Sequence, residues 1–224
     1  MTTHFNSLAH ADDVGDVPVA RQGGVYRQFF KRVFDVLVVL ASLPFTLPVL
    51  VLMGLAVMLD GGSPFYRQER IGKDGRIFSL LKIRTMVPDA KKKLDDYLAT
   101  NPAAKAEWDA TQKLKSDPRI TRVGAVLRKT SLDELPQLLN VLKGDMSLVG
   151  PRPMMTEQRH LYPGSAYYLM RPGITGAWQV SDRNHGTFAG RAKFDADYCN
   201  EISLVTDLTI MLRTVAVVVR GTGY

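Results

Sequence analysis

The sequence is poor in cysteine and histidine. Its single cysteine, Cys199, excludes a disulfide within the chain and fits a reducing compartment. The four histidines, His4, His10, His160 and His185, are scattered and show none of the paired spacings of a zinc site. The chain also lacks a Gly-x4-Gly-Lys-Ser/Thr phosphate loop and a Gly-x-Gly-x-x-Gly dinucleotide motif. These absences argue against a zinc module, a P-loop nucleotidase and a Rossmann-type enzyme.

Aromatic residues are scarce beside the basic ones. The chain has two tryptophans and 8% aromatic residues, against 29 Lys and Arg and 22 Asp and Glu, which gives a net charge of +7. Such a charge indicates an anionic partner, either nucleic acid, acidic lipid or a phosphorylated substrate. Because few aromatic side chains stand near the basic runs, a nucleic-acid binder would have little stacking surface. We therefore expect no nucleic-acid partner.

Residues 1–24 lack both apolar periodicity and the features of a signal peptide, which are a basic start and an early apolar run. They are polar and mildly acidic, and we expect them to form a disordered tail. A chain of 224 residues has room for one good core. No internal repeat or second globular domain is evident.

Charge is absent from the run Val36 to Leu59. One straight helix of this length would span about 36 Å, which is enough for a membrane core of about 30 Å. Pro44 and Pro48 lie inside the run, and an interior proline costs a helix roughly 3 kcal/mol in a soluble host. Basic residues flank the run on both sides: Arg27, Lys31 and Arg32 before it, and Arg67, Arg70, Lys73 and Arg76 after it.

These features leave two membrane topologies open. Positive charge at both ends favours a cytoplasmic position for both, which requires a re-entrant hairpin that enters one leaflet and returns. A proline-kinked spanning helix is the alternative, because membrane helices tolerate proline. A buried core helix is a third interpretation, but a soluble domain rarely needs so long an uncharged run.

Two alternating segments around a Lys-Asp-Gly turn predict a β-hairpin, with strands over Phe65–Ile71 and Ile77–Ile83. Lys82 and Arg84 alternate with Ile83, so they are expected to share one face of the second strand. That face either lines an anionic cleft or is simply solvated.

Local patterns predict the remaining elements: a surface helical pair over Asp89–Ser116 broken at Asn101, a short helix over Met154–Tyr162, a short strand over Ile174–Val180, and a helix over Phe194–Glu201. Near the end of the chain, Asp207–Arg220 places Arg213 and Arg220 on one helix face against a broad apolar sector. This pattern is typical of an interfacial helix with its apolar side in lipid. It fits a buried terminal helix equally well.

Two adjacent carboxylates, Asp133 and Glu134, stand before an apolar run from Leu135 to Leu142. A purely structural explanation exists for them. Ser131 with Glu134 three residues later fits a capping box, and acids in a first helical turn oppose the helix dipole favourably. Pro136 is also tolerated near a helix start.

The surroundings of the two acids favour a phosphate site. Arg128 and Lys129 precede them, and a stiff Pro151-Arg152-Pro153 turn follows. A helix start attracts phosphate, and Mg²⁺ takes one or two carboxylates together with phosphate oxygens. Arg152 on a rigid turn can grip phosphate with two hydrogen bonds. Acids and bases packed together therefore suit a metal-bridged phosphate site.

The runs Ser131–Gln137 and Gly144–Pro153 closely resemble the bacterial sugar transferases that are monotopic phosphoglycosyl transferases. The resemblance extends from about Val25 to the C-terminus and includes Lys31–Asp35, Lys82–Met86 and Arg171–Val180. Several long motifs in the same order make the match highly specific. Within the family the chain is most similar to the short, single-module enzymes that initiate exopolysaccharide synthesis.

The resemblance implies transfer of a sugar 1-phosphate from a nucleotide sugar to a polyprenyl phosphate, with Mg²⁺ as cofactor and release of a nucleoside monophosphate. This is the first membrane step of exopolysaccharide synthesis, for which the family branch implies undecaprenyl phosphate and a UDP-linked galactose or glucose. It implies Asp133 as the nucleophile, which forms a covalent sugar-phosphate intermediate and contacts the metal, and Glu134 as an acid assisting metal or proton handling. The residues it implies in phosphate and substrate binding are Arg128, Arg152, Lys82, Arg84 and, in the polar loop Ser181–Gly186, Arg183.

The expected architecture is a small α/β (α+β) domain on the cytoplasmic face of the bacterial inner membrane. The resemblance favours a re-entrant helix that bends at Pro48, thirteen residues after Asp35, and amphipathic helices complete the anchor. The expected boundaries are a tail over 1–24, a basic flank and membrane helix over 25–60, and a catalytic domain over 61–224. Membrane lipids and other polysaccharide-assembly enzymes are expected partners. A non-catalytic membrane scaffold is the alternative, and the intact acids and Arg152 count against it.

Overall fold

The computed structural model of the chain describes residues 24–111, 114–181 and 188–219. In these ranges the α-helices are α1 Lys31–Met58, α2 Ala90–Thr100, α3 Pro102–Thr111, α4 Arg122–Thr130, α5 Gln137–Lys143, α6 Arg191–Asn200 and α7 Leu204–Val219. The strands are β1 Phe65–Ile71, β2 Ile77–Ile83, β3 Ser147–Val149 and β4 Gly173–Thr175. This mixture confirms the predicted combination of helices and strands.

Several predicted elements are confirmed at or near their predicted bounds. Strands β1 and β2 form the predicted two-stranded sheet with the predicted ends. Helices α2 and α3 are separated at Asn101, where the helical pair was expected to break. The predicted short helix after Pro153 is a 3-10 helix over Thr156–Leu161.

The strand predicted over Ile174–Val180 is wrong beyond its first two residues. Strand β4 ends at Thr175, and Ala177 to Val180 form a turn. The Gln179 side chain donates from Nε2 to the carbonyl oxygen of Ile174 at 3.0 Å, so the chain folds back on itself. This local turn ends the strand that the pattern of apolar residues predicted.

Helix α1 is the longest helix, and a π-helical turn over Tyr26–Phe30 leads into it. Tyr26–Met58 is the one helix in the described part of the chain that is long and apolar enough to cross a membrane. Helical structure continues through Pro44 and Pro48. The helix is therefore a membrane candidate, while its re-entrant course and the bend at Pro48 stay predictions.

The described residues form two compact units. The first unit comprises residues 24–40, 69–80 and 138–216, and the second comprises 41–68, 81–137 and 217–219. The domain boundaries expected from the sequence stay a prediction.

The core of the first unit surrounds a parallel pair of short strands, β3 and β4, in which Ser147 is opposite Gly173 and Val149 opposite Thr175. A Cβ atom on Gly173 would lie 2.1 Å from the backbone nitrogen of Gly150, so this close approach requires glycine. The buried residues packed around the strands include Val39, Phe78, Leu80, Val141, Met146 and Tyr198. This packing fixes the Pro-Arg-Pro turn, which begins directly after Gly150.

Buried acids tie the helices of the first unit together. Asp35 on α1 accepts hydrogen bonds from the Ser147 hydroxyl at 2.7 Å and the Leu148 backbone N–H at 3.2 Å. Asp207 on α7 is fully buried and pairs with Lys31 Nζ at 2.6 Å. Because each buried acid has polar partners, the cost of removing its charge from water is offset.

Helix α7 exposes apolar side chains and buries an acid. Val205 is 74% exposed and Leu212 is 73% exposed, whereas Asp207 and Ile210 are buried. A largely buried terminal helix, one of the two interpretations left open by the sequence, does not describe these side chains. Arg220, the second arginine of the predicted amphipathic pattern, lies outside the described residues.

The core of the second unit is smaller and contains Val57, Ile83 and Leu127, with Leu50, Met53, Val123 and Leu132 packed against them. Helix α4 approaches the chain after β2 so closely that a Cβ atom on Gly124 would lie 2.0 Å from the carbonyl oxygen of Thr85. Only glycine allows this contact. The contact anchors the first turn of α4, and the other end of this helix leads directly to the two adjacent acids.

Candidate active site

The two acids lie in a short 3-10 turn between helices α4 and α5. Ser131 ends α4 in the left-handed conformation (φ 56°), and Leu132–Glu134 form the 3-10 turn that follows. The predicted capping box is wrong, because the Ser131 side chain makes no capping hydrogen bond. An N-cap residue needs an extended backbone, whereas Ser131 has the geometry of a helix C-cap.

Glu134 is paired with Lys82 of strand β2. The Lys82 ammonium lies 2.8 Å from Glu134 Oε1 and 3.9 Å from Asp133 Oδ2. The Asp133 side chain is only 12% exposed, and those of Lys82 and Glu134 are also largely covered. The structure thus brings together three residues that sequence analysis placed in one phosphate site.

Arg128 is held near this cluster from the last turn of α4. Its Nε donates to the Thr85 hydroxyl at 2.9 Å. Burial lowers the pKa of Arg128 from its ordinary value, and the negative charges of Asp133 and Asp117 act in the opposite direction. Sequence analysis missed Thr85 and Asp117, since neither belongs to a motif that predicts a link to Arg128.

Burial dominates the electrostatics of Asp133. Burial raises the pKa of the Asp133 carboxyl above its ordinary value. The positive charges of Lys82 and Arg128 partly oppose this effect, and the negative charge of Glu134 adds to it. A carboxylate removed from water keeps less of its hydration shell, while the two cations still favour its ionised form. This combination suits a carboxylate that attacks an electrophile.

Arg84 has a different partner from Lys82. Its Nη2 donates to the carbonyl oxygen of Val57 at 3.0 Å, near the end of α1. Arg84 lies just after the last residue of β2, and among the described residues it forms no ion pair with Asp133 or Glu134. Its role in phosphate binding stays a prediction.

The structure does not assign the other two predicted phosphate-binding residues, Arg152 and Arg183, to this cluster. Arg152 belongs to the first unit, where Arg70 Nη1 donates to the carbonyl oxygen of Pro153 at 3.1 Å and supports the Pro-Arg-Pro turn. Arg183 lies outside the described residues. The roles of both in phosphate binding stay predictions.

The donor set of the site can be compared with the needs of Mg²⁺. Among the residues that the structure describes, no group of three or more His, Cys, Asp and Glu side chains could hold a metal. Mg²⁺ is commonly held by one or two carboxylates together with phosphate oxygens and water. Glu134 already pairs with the Lys82 ammonium at 2.8 Å, whereas Asp133 lies 3.9 Å from it. Of these two acids, Asp133 is therefore the better candidate ligand for Mg²⁺. The residues therefore fit a metal ion that arrives with a phosphate, and they do not form a metal cage.

A buried carboxylate flanked by a second acid and two cations defines a candidate group-transfer site, and the described part of the chain also contains one helix apolar enough to cross a membrane. The family model of the bacterial sugar transferases matches residues 26–221. The chain belongs to this family, and the resemblance seen in its motifs is confirmed.

Curated relatives place the chain within the family. A UDP-galactose-lipid carrier transferase of Erwinia amylovora is 48% identical over 198 residues, which cover 88% of this chain and 42% of the relative. The exopolysaccharide production protein ExoY of Sinorhizobium fredii is 47% identical over 196 residues, covering 86% of this chain and 87% of the relative. A UDP-glucose:undecaprenyl-phosphate glucose-1-phosphate transferase of Caulobacter vibrioides is 41% identical over 196 residues, which cover 83% of this chain and 68% of the relative. The chain thus spans less than half of the Erwinia protein and most of ExoY.

Proposed function

We propose that this protein transfers a sugar 1-phosphate from a UDP-sugar to a polyprenyl phosphate and releases UMP. The buried Asp133, flanked by Lys82 and Arg128, is the observation that carries the proposal. The names of the relatives from Erwinia and Caulobacter support the substrate classes, since they specify UDP-galactose, a lipid carrier, UDP-glucose and undecaprenyl phosphate. The name of the Sinorhizobium relative supports a place in exopolysaccharide production.

The reaction proceeds in two displacements at one phosphorus atom. In the first, an Asp133 carboxylate oxygen bonds to the phosphorus that bears the sugar, and the bond from this phosphorus to the oxygen of UMP breaks. In the second, an oxygen of the polyprenyl phosphate bonds to the same phosphorus, and the bond to Asp133 breaks. The products are UMP and a polyprenyl diphosphate sugar, and the Asp133 carboxylate is regenerated.

The neighbours of Asp133 support both displacements electrostatically. Negative charge spreads over the phosphate oxygens during phosphoryl transfer, so fixed cations nearby stabilise the transition state. Lys82 supplies one such cation and also favours the ionised form of Asp133, while Glu134 holds the Lys82 ammonium in place. Mg²⁺, held by Asp133 together with the donor diphosphate, would supply further neutralising charge.

The test is an assay of nucleotide release. Purified full-length protein in detergent is incubated with undecaprenyl phosphate, Mg²⁺ and a panel of UDP-sugars that includes galactose and glucose. We expect UMP release from UDP-galactose or UDP-glucose that requires undecaprenyl phosphate for multiple turnovers and stops on chelation. Release of UDP instead of UMP would show transfer of the sugar without its phosphate and would contradict the proposal.

We also propose that Val36–Leu59 is re-entrant and that the protein lies on the cytoplasmic face of the bacterial inner membrane. Basic residues flank the run on both sides, and α7 exposes apolar side chains such as Val205 and Leu212. In a Cys199→Ser background, Val25→Cys and Lys73→Cys should both react with a membrane-impermeant thiol reagent only from the cytoplasmic side. Reaction of the cysteine at position 25 only from outside would mean that the helix spans the membrane.

A further inference from the structure

A basic cleft lies in the first unit, beside the start of helix α1. Its volume is about 70 Å³, several times what one water molecule needs. Five cationic side chains and one carboxylate line it: Arg27, Lys31, Arg32, Lys73, Arg171 and Asp35. The three cations on the chain leading into α1 are partly buried, whereas Lys73 and Arg171 are exposed. The cleft therefore presents positive charge both inside and at its exposed edge.

The acids nearby do not neutralise these cations. Asp207 pairs with Lys31 at 2.6 Å. The two oxygens of Asp35 accept hydrogen bonds from the Ser147 hydroxyl and the Leu148 backbone N–H. In the described part of the chain, the four remaining cations of the cleft form no ion pair. Four positive charges therefore face one carboxylate.

The arginines of the cleft bond neutral groups instead. Arg27 Nη1 donates to the carbonyl oxygen of Cys199 at 3.0 Å, and Arg171 Nε donates to that of Gly144 at 2.8 Å. Arg32 donates through both Nη groups to carbonyl oxygens near the end of α5. These bonds hold the guanidinium groups in place and leave their charge unneutralised. Both Nη groups of Arg171 stay available to an anion.

The cleft lies where the apolar run begins. Arg32 precedes Val36 by four residues, which is about 6 Å along a helix axis. Phe29 and Phe30, in the turn before α1, are 62% and 53% exposed, and their rings meet edge to face with 5.5 Å between centroids. Exposed aromatic and basic side chains beside an apolar helix are typical of the headgroup region of a membrane. This position places the cleft at the depth of lipid phosphates.

We propose that this cleft binds the phosphate headgroup of an anionic phospholipid. The proposal goes beyond the reaction and rests on the proposed membrane position of α1. Basic pockets at the cytoplasmic side of membrane helices bind anionic headgroups, and a guanidinium can donate two hydrogen bonds to one phosphate. Lys73 and the Nη groups of Arg171 contact the phosphate, and the bound lipid holds the start of α1 at the membrane surface.

Native mass spectrometry of the full-length protein in detergent tests this site. The protein is titrated with phosphatidylglycerol, which is anionic, and in parallel with phosphatidylcholine, which has no net charge. We expect saturable binding of one phosphatidylglycerol and binding of phosphatidylcholine that is weaker by about tenfold or more. Lys73→Gln and Arg171→Gln should each raise the Kd for phosphatidylglycerol by about fivefold, because each removes one positive charge beside the phosphate.

Lys91→Gln and Lys92→Gln are the matched controls, because these exposed lysines of α2 carry the same charge outside the cleft. Their Kd values should equal that of the parent. Arg171→Lys keeps the charge and should bind more tightly than Arg171→Gln. Equal binding of the two lipids, or unchanged Kd values in both Gln variants of the cleft, would overturn the proposal.

Two competitors distinguish the phospholipid from other phosphates. Glycerol 1-phosphate at the same concentration should not displace phosphatidylglycerol, and its displacement would show a site for a soluble phosphate. Undecaprenyl phosphate that displaces phosphatidylglycerol and binds more tightly would assign the cleft to the acceptor. Either result would overturn the assignment to a phospholipid.

Parallel assays of UMP release separate this proposal from the proposed function. Phosphatidylglycerol binding by a parent protein that releases no UMP would leave the site standing and contradict the reaction. UMP release by a parent protein that binds no phosphatidylglycerol would do the reverse.

Discussion

Asp133→Asn should abolish sugar-phosphate transfer while leaving the protein folded. Asparagine keeps the size and much of the hydrogen-bonding capacity of aspartate but lacks the anionic oxygen that attacks phosphorus. We expect UMP release to fall by at least about 10⁴-fold, within the range seen when a nucleophile is removed from other enzymes. Asp109→Asn is the matched control, because the Asp109 side chain is 59% exposed and forms an ion pair with Lys105 on α3.

Thermal unfolding distinguishes this loss from a structural defect. Burial raises the pKa of Asp133, so the ionised carboxylate destabilises the folded protein at neutral pH. Removing this charge in Asp133→Asn should therefore not lower the unfolding temperature. Substantial UMP release by folded Asp133→Asn protein would show that Asp133 is not the nucleophile.

Glu134→Gln should behave differently from Asp133→Asn. Glu134 bonds to Lys82 and is not placed to attack the same phosphorus as its neighbour, because adjacent residues on a helical turn point in different directions. If it assists proton handling, its loss lowers the rate by about 10²–10⁴-fold. The covalent intermediate should still form.

Lys82→Met should lower activity and move the acid limb of the kcat/KM profile to higher pH. The charge of Lys82 lowers the pKa of Asp133, so its removal raises that pKa, and a larger fraction of Asp133 is protonated and inactive at a given pH. At neutral pH we expect a loss of about 10²-fold or more, comparable with loss of one fixed charge-stabilising group. The measurement is UMP release across pH.

Two further variants control the Lys82 experiment. Lys82→Arg keeps the positive charge and should restore the position of the acid limb. Lys105→Met removes an ammonium from an exposed ion pair and should change neither rate nor pH profile. A lower rate in Lys82→Met with an unmoved acid limb would mean that Lys82 acts only on the substrate.

The sequence predicted those parts of the fold that local patterns determine. Alternation on both sides of a Lys-Asp-Gly turn was enough to bound strands β1 and β2, and the proline after Asn101 marked the break between α2 and α3. The strand predicted to Val180 failed because a side-chain hydrogen bond from Gln179 turns the chain after β4. The spacing of apolar residues, on which the strand prediction rested, does not show such a turn.

Much of the candidate site also followed from the sequence, because Asp133, Glu134 and Arg128 stand close together in one segment. The resemblance also placed Lys82 in the site, but the pairing of these residues did not follow from the sequence. The ion pair of Lys82 with Glu134 joins residues far apart in sequence, and the turn at Ser131 has the left-handed geometry of a helix end where a capping box was expected.

Intact-protein mass spectrometry tests the central claim most directly. The full-length enzyme is incubated with the active UDP-sugar and Mg²⁺ in the absence of polyprenyl phosphate, and peptide analysis then locates any added mass. We expect an increase of one sugar phosphate on the peptide that contains Asp133. The increase should be absent in Asp133→Asn and should disappear when undecaprenyl phosphate is added. An unmodified enzyme under donor conditions that support full product formation once acceptor is present would contradict the covalent route and show direct transfer.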